Sequence, residues 1–376
     1  MKIIHVSDTH LGCEIPVEYK EIRKKDFLFA FNQVVDFAIK EKVDAIIHSG
    51  DFFDTYFRIT SGVLEDVIDS LIKLKNNEIP IIFIKGNHDV RGHRQKVINI
   101  LKKLGLVLEA NPKEPIKIKD IYIYGISEPE NLSGNELREY YNKVLPNIKV
   151  EKDGYSIFLF HGSIDILNDE FYDPRIISVS SLPKNIDYYA LGHFHIPKKY
   201  IENEKVFALP GSTERTEISY REQNTKKGFY LIKDDNIEFI EIKTRNIYIL
   251  ERFVEKEEDV YKIVDEVLRK SKESIIKLRI KYKKDYYDIL KNKIDLLIKS
   301  DYYIIDDLYP EDEEIHLEEE TEEMILEDIL NKSFLQNKKE IIDLFNKIKS
   351  IMEDYYIGKD TDIDKIRRTI LKELLQ

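Results

Sequence analysis

Apolar positions in the first 245 residues alternate between short runs and spaced stripes. Lys2–Val6, Ala45–His48 and Ile81–Ile84 are β-branched runs of strand length. Between the first two, Phe27, Phe31, Val34, Val35 and Ala38 recur at helical spacing, and between the next two Val63, Val67, Leu71 and Leu74 do the same. That β-α-β-α-β order predicts parallel strands covered by helices. Further strands are predicted at 121–125, 155–160, 187–191, 206–209, 228–233 and 237–242. They lie closer together, without long helices between them, so this half is richer in strand.

Residues 246–307 repeat the alternation on a smaller scale. Ile247–Phe253, Ile275–Ile280 and Tyr302–Ile305 read as strands, separated by helical segments at 255–270 and 284–298. The pattern predicts a small sheet with two helices on one face. Pro310 then opens an acidic run, Glu311–Asp328, with no basic residue, which reads as a solvated linker. Beyond it, Phe334, Ile341, Leu344, Phe345, Ile348 and Ile351 form one helical stripe. Ile363, Ile366, Ile370 and Leu374 form another, after a turn at Gly358 and Asp360. Two helices of this size cannot bury both stripes against each other and stay stable alone, so they need another surface, which a partner protein is expected to supply, the alternative being docking on the same chain. The chain is thereby expected to divide into 1–245, a small α/β unit at 246–307, an acidic linker at 308–333 and a helical segment at 334–376.

Charge first points away from nucleic acid, because the chain carries 71 acidic against 59 basic side chains, a net −12. Residues 301–330 alone hold fourteen acidic and no basic side chains, so the remainder is slightly positive and the exclusion falls. A hydrophobic content of 42% excludes wholesale disorder. One cysteine, Cys13, cannot form an internal disulfide, which fits a reducing, intracellular setting. No apolar run approaches the roughly 20 residues that span a bilayer, and the N-terminus lacks a signal-peptide pattern, so no membrane association is expected.

Chemistry is concentrated in the first 200 residues, which hold eight of the nine histidines. Most sit in short polar blocks: Ser7-Asp8-Thr9-His10, Gly50-Asp51, Gly86-Asn87-His88-Asp89, His161-Gly162 and Gly192-His193-Phe194-His195. Each block follows an apolar run of strand character. In an open α/β fold the carboxyl ends of strands open onto one crevice, where the five blocks would converge. Their donors are carboxylate, amide oxygen and imidazole, with no thiolate. That set suits two divalent ions of intermediate hardness, such as manganese, iron or zinc. Asp8 and His10 can reach one ion, His193 and His195 can be split between two, and Asp51 is the best candidate to bridge them. Two ions about 3.5–4 Å apart activate water and stabilise in-line attack on phosphorus. His5 and His48 sit within strand runs and are expected to serve the core or support the ligands. His316 lies in the acidic run and is expected to be solvated.

These blocks resemble the calcineurin-type metallophosphoesterases. His5-Val6-Ser7-Asp8-Thr9-His10-Leu11-Gly12, Gly50-Asp51-Phe52-Phe53-Asp54, Gly192-His193-Phe194-His195-Ile196-Pro197 and Pro210-Gly211-Ser212-Thr213-Glu214-Arg215 are closer to one branch. That branch is the SbcD-like nuclease subunits of double-strand-break repair nuclease–ATPase complexes. Motif resemblance covers residues 1–245; beyond them only the architecture is similar. It implies an α/β fold, a β-sandwich flanked by helices, with a small DNA-binding cap and a helical partner-binding end. It implies a manganese-dependent DNA nuclease with two Mn²⁺ per chain, acting as 3′-to-5′ exonuclease and single-strand endonuclease. Asp8, His10, Asp51 and His195 would hold one ion, and Asp51, Asn87, His161 and His193 the other. His88 corresponds to the family's catalytic histidine, with Asp89 placed to orient its imidazole. Some relatives carry a histidine where this chain has Asp54.

The resemblance also implies an SMC-like, ABC-type ATPase partner bound through 334–376, and a cytoplasmic or nucleoid-associated setting. It further implies a homodimer through the helices around 62–75 and 94–103, with Leu71 and Leu74, or Val97 and Leu101, as interface candidates. No Gly-x-x-x-x-Gly-Lys-Ser/Thr sequence occurs, so ATP dependence would come from the partner. Arg58, Arg91 and Arg94 follow metal blocks and are candidates for phosphate contacts. Two other readings stay open. One is a phosphoprotein phosphatase or small-molecule phosphodiesterase, although Ser7, Leu11 and Thr55 depart from the phosphatase blocks. The other is a DNA-end tether whose cap and helical end matter more than cleavage.

Overall fold

A computed structural model describes residues 1–54, 59–90, 93–132, 134–150, 154–167, 175–234 and 236–311. Residues 312–376, which hold the rest of the linker and the 334–376 segment with its expected partner surface, lie outside the described residues, as do Arg58, Arg91 and His316, whereas the linker's first residues, through Pro310, continue the last strand. In chain order the elements are β1 (Lys2–Val6), α1 (Lys20–Glu41), β2 (Ala45–His48), α2 (Ser61–Asn76), β3 (Ile81–Phe83), α3 (His93–Lys103), β4 (Leu108–Glu109) and β5 (Ile116–Ile118). There follow β6 (Ile121–Ile126), α4 (Gly134–Val144), β7 (Tyr155–His161), β8 (Tyr188–Gly192), β9 (Lys198–Glu202), β10 (Lys205–Leu209), the single turn α5 (Tyr220–Gln223), β11 (Gly228–Lys233) and β12 (Asn236–Glu241). The last five are β13 (Ile247–Val254), α6 (Glu257–Leu268), β14 (Ile275–Tyr282), α7 (Tyr287–Lys299) and β15 (Tyr303–Pro310).

Two six-stranded sheets, ordered β12-β11-β1-β2-β3-β4 and β5-β6-β7-β8-β10-β9, face each other. Side chains alternate across each strand, and the alternation sorts the core into layers. Ile3, Ala45, Ile47 and Ile82 of the first sheet pack with Ile123, Ile157, Leu159 and Ala190 of the second. On the outer face, Ile4, Val6 and Ile46 meet Phe31, Val34, Val35 and Ala38 of α1 and Val67, Leu71 and Leu74 of α2. The second sheet's outer face, with Tyr124, Phe158 and Phe160, packs on Leu137 and Tyr141 of α4. The result is a sandwich of two sheets with a helical layer on each side.

Leu71, Leu74, Val97 and Leu101 are buried inside the chain's own core, at 0 to 3% exposure, so they are not interface residues. The large apolar side chains that α2 and α3 do expose are Ile72 and Ile100.

β13, β14 and β15 form a separate, fully parallel three-stranded sheet. Val260, Ile263 and Val267 of α6 and Leu290, Ile294 and Leu297 of α7 cover Ile276, Leu278 and Ile280 on one face. On the other face, Ile247, Ile249 and Ile275 join Ile218, with Tyr19 and Tyr303 packed against them. Among the described residues no helix is long and apolar enough to cross a membrane.

Candidate metal centre

Strand register brings the blocks together. β1 and β2 run parallel with Val6 opposite His48, so the loops leaving them start side by side. Asp8 N donates to Gly50 O (3.0 Å), His10 N to Asp51 O (3.1 Å) and Leu11 N to Phe52 O (3.0 Å). β7 and β8 end together likewise, His161 opposite Gly192. Asp8, His10, Asp51 and His193 have φ of 50, 40, 56 and 108°, a region that residues with a side chain seldom occupy. Such conformations persist only where the surroundings impose them, as they do at sites of function. Two glycines are demanded by space. A Cβ at Gly86 would lie 2.3 Å from Asp51 Oδ1, and one at Gly192 would lie 2.2 Å from Ser49 O.

Three sets of potential ligand atoms each gather within 4.8 Å: Asp8, His10 and His195; Asp8, Asp51 and His161; and His10, Asp51 and His88. His10 Nε2 and His195 Nε2 are 3.1 Å apart. Asp51 Oδ2 is 3.2 Å from His161 Nε2 and 3.9 Å from His10 Nε2, which sets this carboxylate between the clusters. Asn87 Oδ1 lies 3.1 Å from His161 Nε2 and 3.2 Å from His193 Nδ1, on the His161 side. Asp8 accepts from His193 N at 3.1 and 3.2 Å.

Burial and mutual charge set the protonation of these groups. Burial raises the Asp8 carboxyl to about 7, with the Asp51 charge adding to the effect. Burial also opposes ionisation of Asp51, but the imidazoles of His161, His88 and His10 outweigh it and hold the carboxyl well below its usual range. Burial works against an imidazolium at His161, yet Asp51 raises it to about 10. Burial drives His10 and His195 well below the usual histidine range, helped at His10 by His88 and at His195 by His10 and Lys227. His10 Nε2 and His195 Nε2, 3.1 Å apart, converge where a single cation could take a lone pair from each. His10 Nδ1 is buried without a hydrogen-bond partner among the described residues. Hard oxygens and imidazoles around such a gap fit divalent ions of intermediate character.

Neighbours orient the rings. His161 Nδ1 donates to Ser49 O at 2.8 Å, so Nε2 is the atom presented to the centre. Thr216 Oγ1 lies 2.6 Å from His195 Nδ1 and does the same for that ring. Arg175 donates to His193 Nε2 at 2.7 Å. Ser49, Thr216 and Arg175 were not legible as site residues. Ser49 lies beside a recognised glycine and Thr216 one position past the Pro210–Arg215 block, whereas no local pattern marks Arg175.

All seven predicted ligands and His88 meet at this place. His88 stands at the rim, its side chain 17% exposed, with its backbone N donating to Asp51 Oδ1 at 2.8 Å. Asp89 is placed differently from expectation. Its buried carboxylate accepts from the backbone N of Phe52, Phe53 and Gly86 at 3.0–3.1 Å. It therefore pins the second block to the third instead of orienting the His88 ring. Asp54 Oδ2 is 3.7 Å from His10 Nδ1, and Arg94 Nε donates to the Asp54 carbonyl. His48 Nε2 pairs with Thr9 Oγ1 at 2.9 Å, a support for the first loop.

A buried carboxylate-imidazole centre at the strand ends of a two-sheet α/β sandwich defines a metallophosphoesterase. The profile of the calcineurin-like phosphoesterases matches residues 1–197. The DNA double-strand break repair protein Mre11 of Archaeoglobus fulgidus is 30% identical over 311 residues, 75% of this chain and 68% of the relative. The Mre11 of Sulfolobus acidocaldarius is 32% identical over 286 residues, 73% and 72% of the two chains. That of Methanocaldococcus jannaschii is 25% identical over 385 residues, 96% and 99% of the two. The chain belongs to the calcineurin-like phosphoesterase family and, within it, to the Mre11 proteins.

Proposed function

We propose that this chain is a two-metal DNA nuclease of double-strand break repair. The observation that carries the reading is the meeting of five sequence blocks at one buried carboxylate-imidazole cluster. Its relatives over most of its length, named as double-strand break repair proteins, support DNA as the substrate. Asp8, His10, Asp51 and His195 hold one ion, Asp51, Asn87, His161 and His193 the other, and manganese is the native metal. Such a pair, when bound, neutralises a phosphodiester and lowers the pKa of the attacking water.

The chain's own residues prepare the site for that chemistry. Asp51 stays ionised between the two ligand sets chiefly because the His161 imidazole lies 3.2 Å from its carboxylate. The hydrogen bond from the His88 backbone to Asp51 fixes the loop, so that the imidazole at the rim can supply a proton to the departing oxygen. Arg175, held on His193, brings a guanidinium to the edge of the site, where it can pair with a phosphate oxygen. Exonuclease action from the 3′ end, single-strand endonuclease action, homodimerisation and an SMC-like ATPase on residues 334–376 complete the reading.

The test incubates pure protein, with Mn²⁺ or with EDTA, against end-labelled duplex DNA, a phosphopeptide and a chromogenic phosphodiester. Degradation of DNA in Mn²⁺ alone is expected, falling about 10²–10⁴-fold in His88→Ser. Dephosphorylation of the peptide without DNA cleavage overturns the substrate assignment. DNA binding without cleavage in Mn²⁺ favours a tether instead.

A further inference from the structure

The block Pro210–Arg215 supplies no ligand in the reading above, yet it is packed directly beneath one. The His195 carbonyl accepts two hydrogen bonds, from Ser212 N at 3.2 Å and from Lys227 Nζ at 2.9 Å. Gly211 has φ +75°, and a Cβ there would lie 2.5 Å from that same carbonyl oxygen. Lys227 is 1% exposed, and its ammonium also donates to Ser212 Oγ at 2.8 Å and pairs with Glu222 Oε2 at 2.6 Å. Glu222 is buried too, on the single turn α5. The next residue, Gln223, accepts from Ile249 N of β13 at 2.8 Å, which holds that turn still. With Thr216 on its ring, His195 is gripped at both backbone and imidazole by one short stretch of chain.

Burying an ammonium costs several kcal/mol, and apolar residues of similar volume often serve stability as well or better. Stability is therefore a weak reason for the charge, and the three donors of Lys227 point to what it holds. We propose that Lys227, with Glu222 as counter-ion and Ser212 as its second acceptor, is a positioning residue for the metal ligand His195. The ligand across the centre is fixed by other means, since His161 is oriented by Ser49 O. Loss of the Lys227 bridge should thus act on one ion and spare the other. Supporting groups of this kind typically change metal affinity by about 10–100-fold.

The inference rests on the two-metal reading, and its test separates the two. Metal-stripped full-length protein is titrated with Mn²⁺ by calorimetry, as wild type, as Lys227→Gln, and as Lys227→Met combined with Glu222→Gln. The double variant removes both charges, so neither is left buried alone. Thermal unfolding in EDTA reports on the fold of each. The double variant is expected to weaken one binding step by about 10–100-fold while the other stays within about threefold. Lys227→Gln, which keeps a donor for the carbonyl, should recover part of the loss. Two unchanged steps, or two steps weakened alike, overturn the positioning role. If the double variant does not fold, Lys227→Gln decides by the same criterion: selective weakening supports the role, and equal or absent weakening overturns it. Wild-type protein that takes up no Mn²⁺ defeats the metal reading and this inference together.

Discussion

His5 shows how a histidine three residues from a metal-ligand position, Asp8, can be wholly structural. Tyr188 Oη lies 2.9 Å from its Nδ1, and its Nε2 is 2.8 Å from Ser49 Oγ, which donates to Ala190 O at 3.0 Å. Because Ser49 gives its proton to the carbonyl, it accepts from His5 Nε2, and His5 Nδ1 accepts from the tyrosine. The ring is thus neutral and joins the two sheets. Burial, with His48 beside it, pushes its pKa down to about 3. The folded value lies below the unfolded one of about 6.5, so the unfolded chain takes up the proton first as pH falls. Stability from this source is complete above about pH 6.5 and declines toward pH 3. At pH 4.5 the loss is roughly 2–3 kcal/mol relative to neutrality. Urea unfolding of wild type and His5→Gln across pH 4–7 checks it. The variant is expected to show the shallower dependence, and parallel curves contradict the assignment. Sequence placed His5 in a strand run and so kept it apart from the ligands. It misjudged Asp89, because spacing along the chain cannot show that the nearest unpaired donors are backbone amides of another block.

The long helices α1 and α2 were legible from their apolar stripes, whereas α4, whose Leu137 and Tyr141 also face a sheet, was not. Phe27, Phe31, Val34, Val35 and Ala38 of α1 are all buried as their spacing requires. The same helix buries Arg23 and Asp26, which no apolar pattern can announce. Their burial is explained by each other and by partners remote in sequence: Arg23 Nη1 pairs with Asp26 at 2.8 Å, Arg23 Nη2 donates to Arg215 O, and Arg245 grips Asp26 at 2.7 and 2.8 Å. On α2 and α3 the stripe was legible and its partner was not. The apolar residues offered to a second subunit belong to the core, and the exposed ones lie a step around each helix. Leu71→Ala is accordingly expected to cost about 2–5 kcal/mol in denaturant unfolding. Ile100→Ala should stay within about 0.5 kcal/mol, as surface changes do. Equal costs at the two positions would contradict this assignment of faces. If α3 forms a subunit contact, Ile100 is where a substitution would change the oligomeric state in sedimentation.

At the scale of the whole molecule, formal charge says little about substrate. Its excess negative charge lies in residues 301–330, whereas every predicted ligand lies in the first 195. Alternation of strand and helix gave the main strands and the small sheet, but not β4, β5, α4 or β9. It could not give the opposition of the two large sheets, because sheet order depends on contacts remote in sequence. That opposition nevertheless places the carboxyl ends of β1, β2, β7 and β8 around one centre, where Asp51 stands between the two ligand sets. Binding of two ions therefore depends on a bridging carboxylate, Asp51. Its most direct test is the metal content of purified protein, loaded with Mn²⁺, desalted and measured by mass spectrometry, as wild type and as Asp51→Asn. Two ions per wild-type chain, falling to below one in Asp51→Asn, are predicted from a shared ligand. Two ions retained by Asp51→Asn would contradict it.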